Sequence, residues 1–283
     1  MNAPPVVDSH VHIWNPARLR YSWLDGLPAL NRPFLPSNFA SACGTANVAK
    51  MIFVECGCEP AQSLAEVDWI SGLAGTEPRL KAIVAHVSLE KGDAVRAELE
   101  ALASRPLVKG VRRSLQGEPG LGFCVQRDFV AGVRLLAEFG FTFDICVRRE
   151  QLAAIAILVC SVPEVTFVLD HFGKPDVRGK GTGPWAADLK ALATLPNVVC
   201  KISGLTTEAD WKNWRPADLA FFFHEALECF GFDRVLFGSD WPVMTLAADY
   251  DRWLDVVRSA FSFANESERT RLFQTNAERI YRV

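Results

Sequence analysis

The chain moves between two hydrophobic rhythms. Short β-branched or apolar runs recur at "PVVDSHVHIW", "VAKMIFVECG", "LKAIVAHVSL", "LVKGVRRSL", "FTFDICV", "VTFVLDHFG", "NVVCKISGL" and "DRVLFGSDW". Between most of them, apolar residues fall three and four apart, as in "QSLAEVDWISGLAG", "DAVRAELEALAS", "DFVAGVRLLAEFG", "EQLAAIAILVCS", "AADLKALATL" and "ADLAFFFHEALECFG". The first rhythm belongs to buried strands and the second to helices with one apolar face. Gly140 and Gly231 supply stops for helices, and Asp93 and Pro216 supply starts. Eight strands alternating with helices predict an α/β fold, a single (β/α)8 TIM barrel domain over residues 1–283. A doubly wound sheet is the runner-up, but it needs a glycine-rich turn after the first strand, and none is there.

One segment breaks the rhythm. Residues 15–40, "NPARLRYSWLDGLPALNRPFLPSNFA", are rich in proline and aromatics and show no helical period. A long loop of this kind is usually functional, and it is expected to act as a lid or pocket wall over the barrel mouth. The last stretch, "ESERTRLFQTNAERIYRV", reads as one closing helix.

Composition narrows the function. Of 283 residues, 49% are hydrophobic and 22% charged, which suits a large buried core. The net charge is −3 with no block of like charges, so neither a nucleic acid nor a membrane surface is the expected partner. No apolar run has the length of a transmembrane helix. The amino-terminal "MNAPPVVDSHVH" leaves no room for a secretion signal, and eight cysteines without a CxxC pair read as reduced thiols of a cytoplasmic protein. Cys56 and Cys58, in "ECGC", are read as buried core thiols before thiolate ligands.

The polar residues inside these apolar strands carry the chemistry. In "DSHVHIW", strand alternation points Asp8, His10, His12 and Trp14 to one face. Glu55 ends strand two, His86 lies in strand three, Arg112 and Arg113 end strand four, and Asp144 lies in strand five. His171 ends strand six, Lys201 and Ser203 strand seven, and Ser239 and Asp240 strand eight. Charged groups in such strands are costly unless paired or bound, and barrel chemistry sits at carboxyl strand ends. His10, His12, His171 and Asp240 have the donor types of a site for one divalent metal, zinc first. The bland alternative for each histidine is a hydrogen-bonded core residue; His86 and His224 are assigned to it.

Arg112 and Arg113 are neighbours, so only one can face the barrel interior, there to meet an oxyanion or a carboxylate. The other is expected to pair with an acid on the helix layer. Trp23 in the long loop and Trp241 beside Asp240 offer aromatic faces for a sugar ring, or else fill the rim. Glu55, Arg113, Asp144 and Lys201 are candidates to bind substrate hydroxyls or to brace the ligands.

"DSHVHIW", "GVRRSL", "FDICV", "LDHFGKP", "CKISGLTTEADW" and "FGSDWPV" resemble the amidohydrolase superfamily, in its branch of sugar-lactone lactonases. That branch includes L-fuconolactonase-like and L-rhamnonolactonase-like enzymes and a relative that opens 2-pyrone-4,6-dicarboxylate. The resemblance spans the chain from Asp8 to the closing helix. It implies hydrolysis of a small sugar-acid lactone and carries the family's ligands onto His10, His12, His171 and Asp240. Strand four has no lysine for a bridged metal pair and strand five no histidine, so one metal at most is expected, with metal-free catalysis left open. Asp240 is the expected general base, with His171 and Arg112 as further catalytic candidates. Rival readings are a metal-dependent decarboxylase of the superfamily, a pyrone- or muconolactone-type dicarboxylate lactonase, and a barrel that binds without catalysis.

Overall fold

The eight apolar runs form eight parallel strands: β1 (Val6–Val11), β2 (Val48–Val54), β3 (Leu80–His86), β4 (Val108–Arg112), β5 (Thr142–Ile145), β6 (Phe167–Leu169), β7 (Val198–Ile202) and β8 (Val235–Phe237). They lie in sequence order in one sheet, each paired with the next. This computed structural model describes residues 4–283; residues 1–3, on which part of the amino-terminal reading falls, lie outside it. The ends of β1 and β8 meet through His12 N–H to Trp241 O (2.7 Å) and Asp240 N–H to His10 O (2.9 Å), which brings the barrel round.

Helices follow the strands on the outside: α1 (Pro36–Ala42), α2 (Ser63–Leu73), α3 (Arg96–Ala103), α4 (Arg127–Phe139), α5 (Leu152–Ser161), α6 (Gly183–Ala193), α7 (Pro216–Phe230) and α8 (Tyr250–Ala260). Gly140 ends α4 in the left-handed conformation, where a side chain would be strained, and Pro216 opens α7. Among the described residues, no helix is long and apolar enough to cross a membrane. Two helices fall outside the expected set. α1 lies partly within the irregular loop, and α8 is started by Asp249, whose side chain accepts from Arg252 N–H. The closing segment is not one helix: α9 (Glu266–Thr270) passes through a π-turn at Arg271–Thr275 into α10 (Asn276–Tyr281).

The core has two layers. A large apolar layer fills the space between strands and helices. Inside the barrel, Val7, Ile52, Val54, Ala82, Val84, Val168, Val199 and Leu236 meet Ala277, Ile280 and Tyr281 of α10. α10 therefore plugs the amino end of the barrel. Asn276 bonds the carbonyls of Phe232 and Val235 at the start of β8, and Lys50 of β2 holds Glu278 and the Val283 carbonyl.

From this apolar floor the inward face runs upward with period two, into polar residues: Val168 to Asp170, Val199 to Lys201 and Leu236 to Asp240. β1 departs from that period. Asp8 pairs Met51 while Val11 pairs Phe53, so three steps on β1 match two on β2. This bulge separates Asp8 from the histidines, contrary to the one-face expectation. Asp8 turns to the helix layer, where it accepts from Ser239 N–H and the Tyr250 hydroxyl of α8, while His10 faces the barrel axis.

Candidate active site

Three imidazoles and one carboxylate converge at the carboxyl end of the barrel. Nε2 of His10 and Nε2 of His12 are 3.1 Å apart. Asp240 Oδ1 lies 3.6 Å from His10 Nε2, 3.4 Å from His12 Nε2 and 3.8 Å from His171 Nε2. Donors bonded tetrahedrally to zinc at about 2.0–2.1 Å sit roughly 3.3 Å from one another. His10, His12 and Asp240 are spaced to share one such ion, while His171 groups with His10 and Asp170 and reaches Asp240 Oδ1 only at 3.8 Å.

The far nitrogens are engaged as a ligand set requires. His12 Nδ1 donates to the Val54 carbonyl (2.8 Å), which leaves Nε2 as a lone pair. His171 Nδ1 meets Ser203 Oγ at 2.8 Å, and His10 Nδ1 lies 3.3 Å from Asp170 Oδ1. Burial pushes His171 down to about 4 and His10 well below its ordinary value, so both rings are neutral at neutral pH. Burial alone would raise the Asp240 carboxyl, but His171, His12 and His10 outweigh it and hold the group below the usual range.

The strand ends are bent to achieve this. His171, Phe172 and Asp240 take positive φ values of 54°, 57° and 65°. Such conformations cost on the order of 1 kcal/mol each and persist where the surroundings impose them. Gly204, at φ +62°, leaves room for the His171 ring; a β-carbon there would collide with its Nδ1.

Charge balance is a second test of fit. Asp240, Asp170, Asp144 and Glu55 are joined through His10, Arg112 and Lys201 into one buried network. Four carboxylates against two cations leave two negative charges, which one divalent cation would cancel.

A cavity of about 430 Å³ opens above, lined by His12, His171, Asp240 and Arg112, with Trp23, Glu55, Arg113, Gln116 and Lys174 on its sides. Arg112 points inward: Nε donates to Glu55 Oε1 (2.6 Å), and Nη1 lies 3.3 Å from Asp170 Oδ2. Arg113 turns the other way, to Glu90 (3.0 Å) and Glu118 (2.6 Å), yet still touches the cavity edge. Trp23 comes from the long loop, which is thus a wall, and is fixed by its Nε1 on the Cys56 carbonyl (2.8 Å).

Three candidates for substrate contact lie away from the cavity lining. Asp144 and Lys201 are fully buried beneath the ligands, bonded to each other at 2.6 Å, and do not line the cavity. Trp241 is buried against Phe34 and Phe39, so it fills the rim. His86 closes β3 away from the cavity lining, and burial pushes the Cys56 and Cys58 thiols well up.

Asp170 is a site residue outside the sequence candidates, standing beside the more conspicuous His171. The signal was available in the alternation, since Val168 inward puts Asp170 inward as well. His171 gets there only through its left-handed turn. Lys174, bonded to Gln116 (2.6 Å) and 3.8 Å from Glu208, is likewise outside the sequence candidates, though it stands in "LDHFGKP".

Behind the cavity wall, Glu66 accepts from the Tyr21 hydroxyl (3.3 Å) and Cys56 N–H (3.4 Å). Burial, and then the charge of Glu55, push its carboxyl from 4.5 up to about 8. The folded state thus holds a proton that the unfolded state releases above 4.5, and stability falls as pH rises from there to about 8. Glu66→Gln is expected to be more stable than the parent by roughly 3 kcal/mol at pH 7 and equal to it at pH 4. Urea unfolding at the two pH values checks this, and an equal gain at both would refute the burial account.

The amidohydrolase family model matches residues 7–283. L-fucono-1,5-lactonase of Burkholderia multivorans is 33% identical over 287 residues, covering 97% of this chain and 95% of the relative. L-fucono-1,5-lactonase of Burkholderia ambifaria is 28% identical, covering 98% and 95%. A crystal structure of an amidohydrolase from Burkholderia multivorans with bound zinc superimposes with a TM-score of 0.88 at 32% identity, covering 99% of this chain and 100% of that one. A match over all but six residues, on a barrel with this ligand-like cluster at its carboxyl end, shows that the chain belongs to the amidohydrolase family.

Proposed function

We propose that this enzyme opens a neutral sugar-acid lactone, an aldonolactone such as L-fuconolactone, to the free sugar acid. The observation that carries the reading is the meeting of His10, His12 and His171 Nε2 with Asp240 Oδ1 against a cavity of about 430 Å³. The lactonase relatives and the zinc in the related crystal structure support it.

Those four residues would hold one zinc ion, which supplies Lewis-acid polarisation of the lactone carbonyl and acidifies water at the site. Asp240 presents Oδ1 to the imidazoles; Oδ2 makes no hydrogen bond among the described residues and is the base for the attacking water. The same carboxyl, once protonated, returns the proton to the ring oxygen as the ester bond breaks. Arg112 keeps its charge beside Glu55 and faces the carbonyl oxygen as negative charge develops there. His171 serves as a ligand, its Nδ1 being held by Ser203. Trp23 lays its ring along the apolar face of the sugar.

Pairing of the cavity's cations favours a neutral substrate. Arg112 is matched by Glu55 and Asp170, Arg113 by Glu90 and Glu118, and Lys174 by Glu208. A dicarboxylate would find no free counter-charge among them.

A pH-indicator assay across stereoisomeric aldonolactones tests the reaction. At least one lactone is expected to be hydrolysed, with activity falling more than about tenfold after chelation and returning with zinc. Carbon dioxide release from aromatic acids, with no lactone turned over, would refute the lactonase reading. Undiminished activity in metal-free protein would remove the zinc alone.

A further inference from the structure

Tyr281 reaches the underside of the catalytic centre from the opposite end of the barrel. It belongs to α10, the plug of the amino end, and is fully buried among the inward strand residues. Its hydroxyl donates to Asp144 Oδ2 at 2.6 Å. Thr142 Oγ1 donates to the other oxygen, Oδ1, at 3.1 Å. Lys201 Nζ donates to Oδ2 at 2.6 Å, lies 3.0 Å from Asp170 Oδ1, and stands 3.2 Å from His10 Nδ1. The chain of contacts therefore runs Tyr281, Asp144, Lys201, His10.

We propose that Tyr281 is a positioning residue for the ligand set, acting through Asp144 and Lys201 to fix the tautomer of His10. The inference rests on the metal reading above for its consequence, though not for its geometry. His10 Nδ1 has two neighbours of opposite kind. With the ammonium directed to Asp144 and Asp170, Nδ1–H donates to Asp170 and Nε2 keeps the lone pair a metal needs. Lys201 Nζ already stands within hydrogen-bond reach of Nδ1 while it is held by Asp144, and an ammonium released from Asp144 would donate to Nδ1 in full, placing the ring proton on Nε2 and closing that position. Two hydroxyls, from Tyr281 and Thr142, hold the plane of the Asp144 carboxylate so that Oδ2 faces Lys201. In this barrel the amino end, ordinarily a matter of stability, bears on the site.

The experiment compares the parent with Tyr281→Phe, which keeps the ring and loses only the hydroxyl. Zinc affinity is read by competition with a chelating dye. The His10 tautomer is read by imidazole 15N shifts in metal-free protein, assigned by the signal missing from a His10→Gln variant. Tyr281→Phe is expected to bind zinc about three- to tenfold more weakly and to move His10 toward the Nε2–H form. Lys50→Met, which loosens α10 without touching the chain, is expected to melt lower with both readings unchanged. Unchanged affinity and tautomer in folded Tyr281→Phe would overturn the proposal. Should that variant not fold, Thr142→Val takes its place with the same expectation and the same refutation. A parent that binds no zinc would refute the metal reading, and the 15N comparison would then decide this inference by itself.

Discussion

Asp240→Asn is expected to lower kcat/KM for lactone hydrolysis by about 10³- to 10⁴-fold, or roughly 4–5.5 kcal/mol of transition-state stabilisation. The substitution removes the proton acceptor and one ligand charge while keeping shape. Asparagine tolerates the left-handed backbone at this position, where φ is 65°, so the fold should survive. Burial works against a charge at residue 240, yet the imidazoles around Oδ1 keep the carboxyl ionised, and that ionised form is the one a base requires. Steady-state kinetics with zinc content measured on the same preparation separates loss of the base from loss of the ion. A variant within tenfold of the parent would show that another group takes the proton.

Arg112→Met is expected to destabilise the protein by about 3–5 kcal/mol at pH 7. The cause is what it leaves behind. Glu55 is 2% exposed and would lose its one cationic partner, and Asp170, 0% exposed, would be left to share Lys201 with Asp144. Burying the arginine is itself costly, so the loss comes from orphaning its partners rather than from the net worth of the pair. Arg112→Met with Glu55→Gln should therefore recover part of the stability. The sign of the pH dependence follows from Glu55. Burial alone would raise its carboxyl, but Arg112 outweighs this and holds it below the ordinary 4.5. That stabilisation is present above the ordinary value and lost as pH falls through the folded one, so the gap between parent and variant should narrow in acid. Denaturant unfolding at pH 7 and below 4 tests both points. A loss under about 1 kcal/mol at pH 7 would mean that solvent reaches the carboxylates.

The residues fix in advance what kind of fold this is and which end of it matters. Short apolar runs read as buried strands and the segments between them as helices, and eight such alternations without a glycine-rich turn after the first strand favour a barrel over a doubly wound sheet. Polar residues late in those runs mark the carboxyl end, because an apolar interior tolerates them only where something pairs them. Helix α8 carries the same signal, with Tyr250, Trp253, Leu254 and Val257 at i, i+3, i+4 and i+7 forming its buried face behind a cap at Asp249.

What the linear order could not express is the direction of each side chain where the backbone leaves its regular period. A bulge in β1 sends Asp8 to the helices and His10 to the axis. A left-handed turn after β6 brings His171 in beside Asp170. Trp241, Asp144 and Lys201 looked available to substrate, and the packing above them removed that access. Period-two alternation is a local property of the chain, and it reads correctly for as long as the strand stays regular. Bulges, positive φ and the docking of α10 depend on contacts between residues hundreds of positions apart, such as Tyr250 with Asp8 and Lys50 with Val283, and only the closed barrel supplies them.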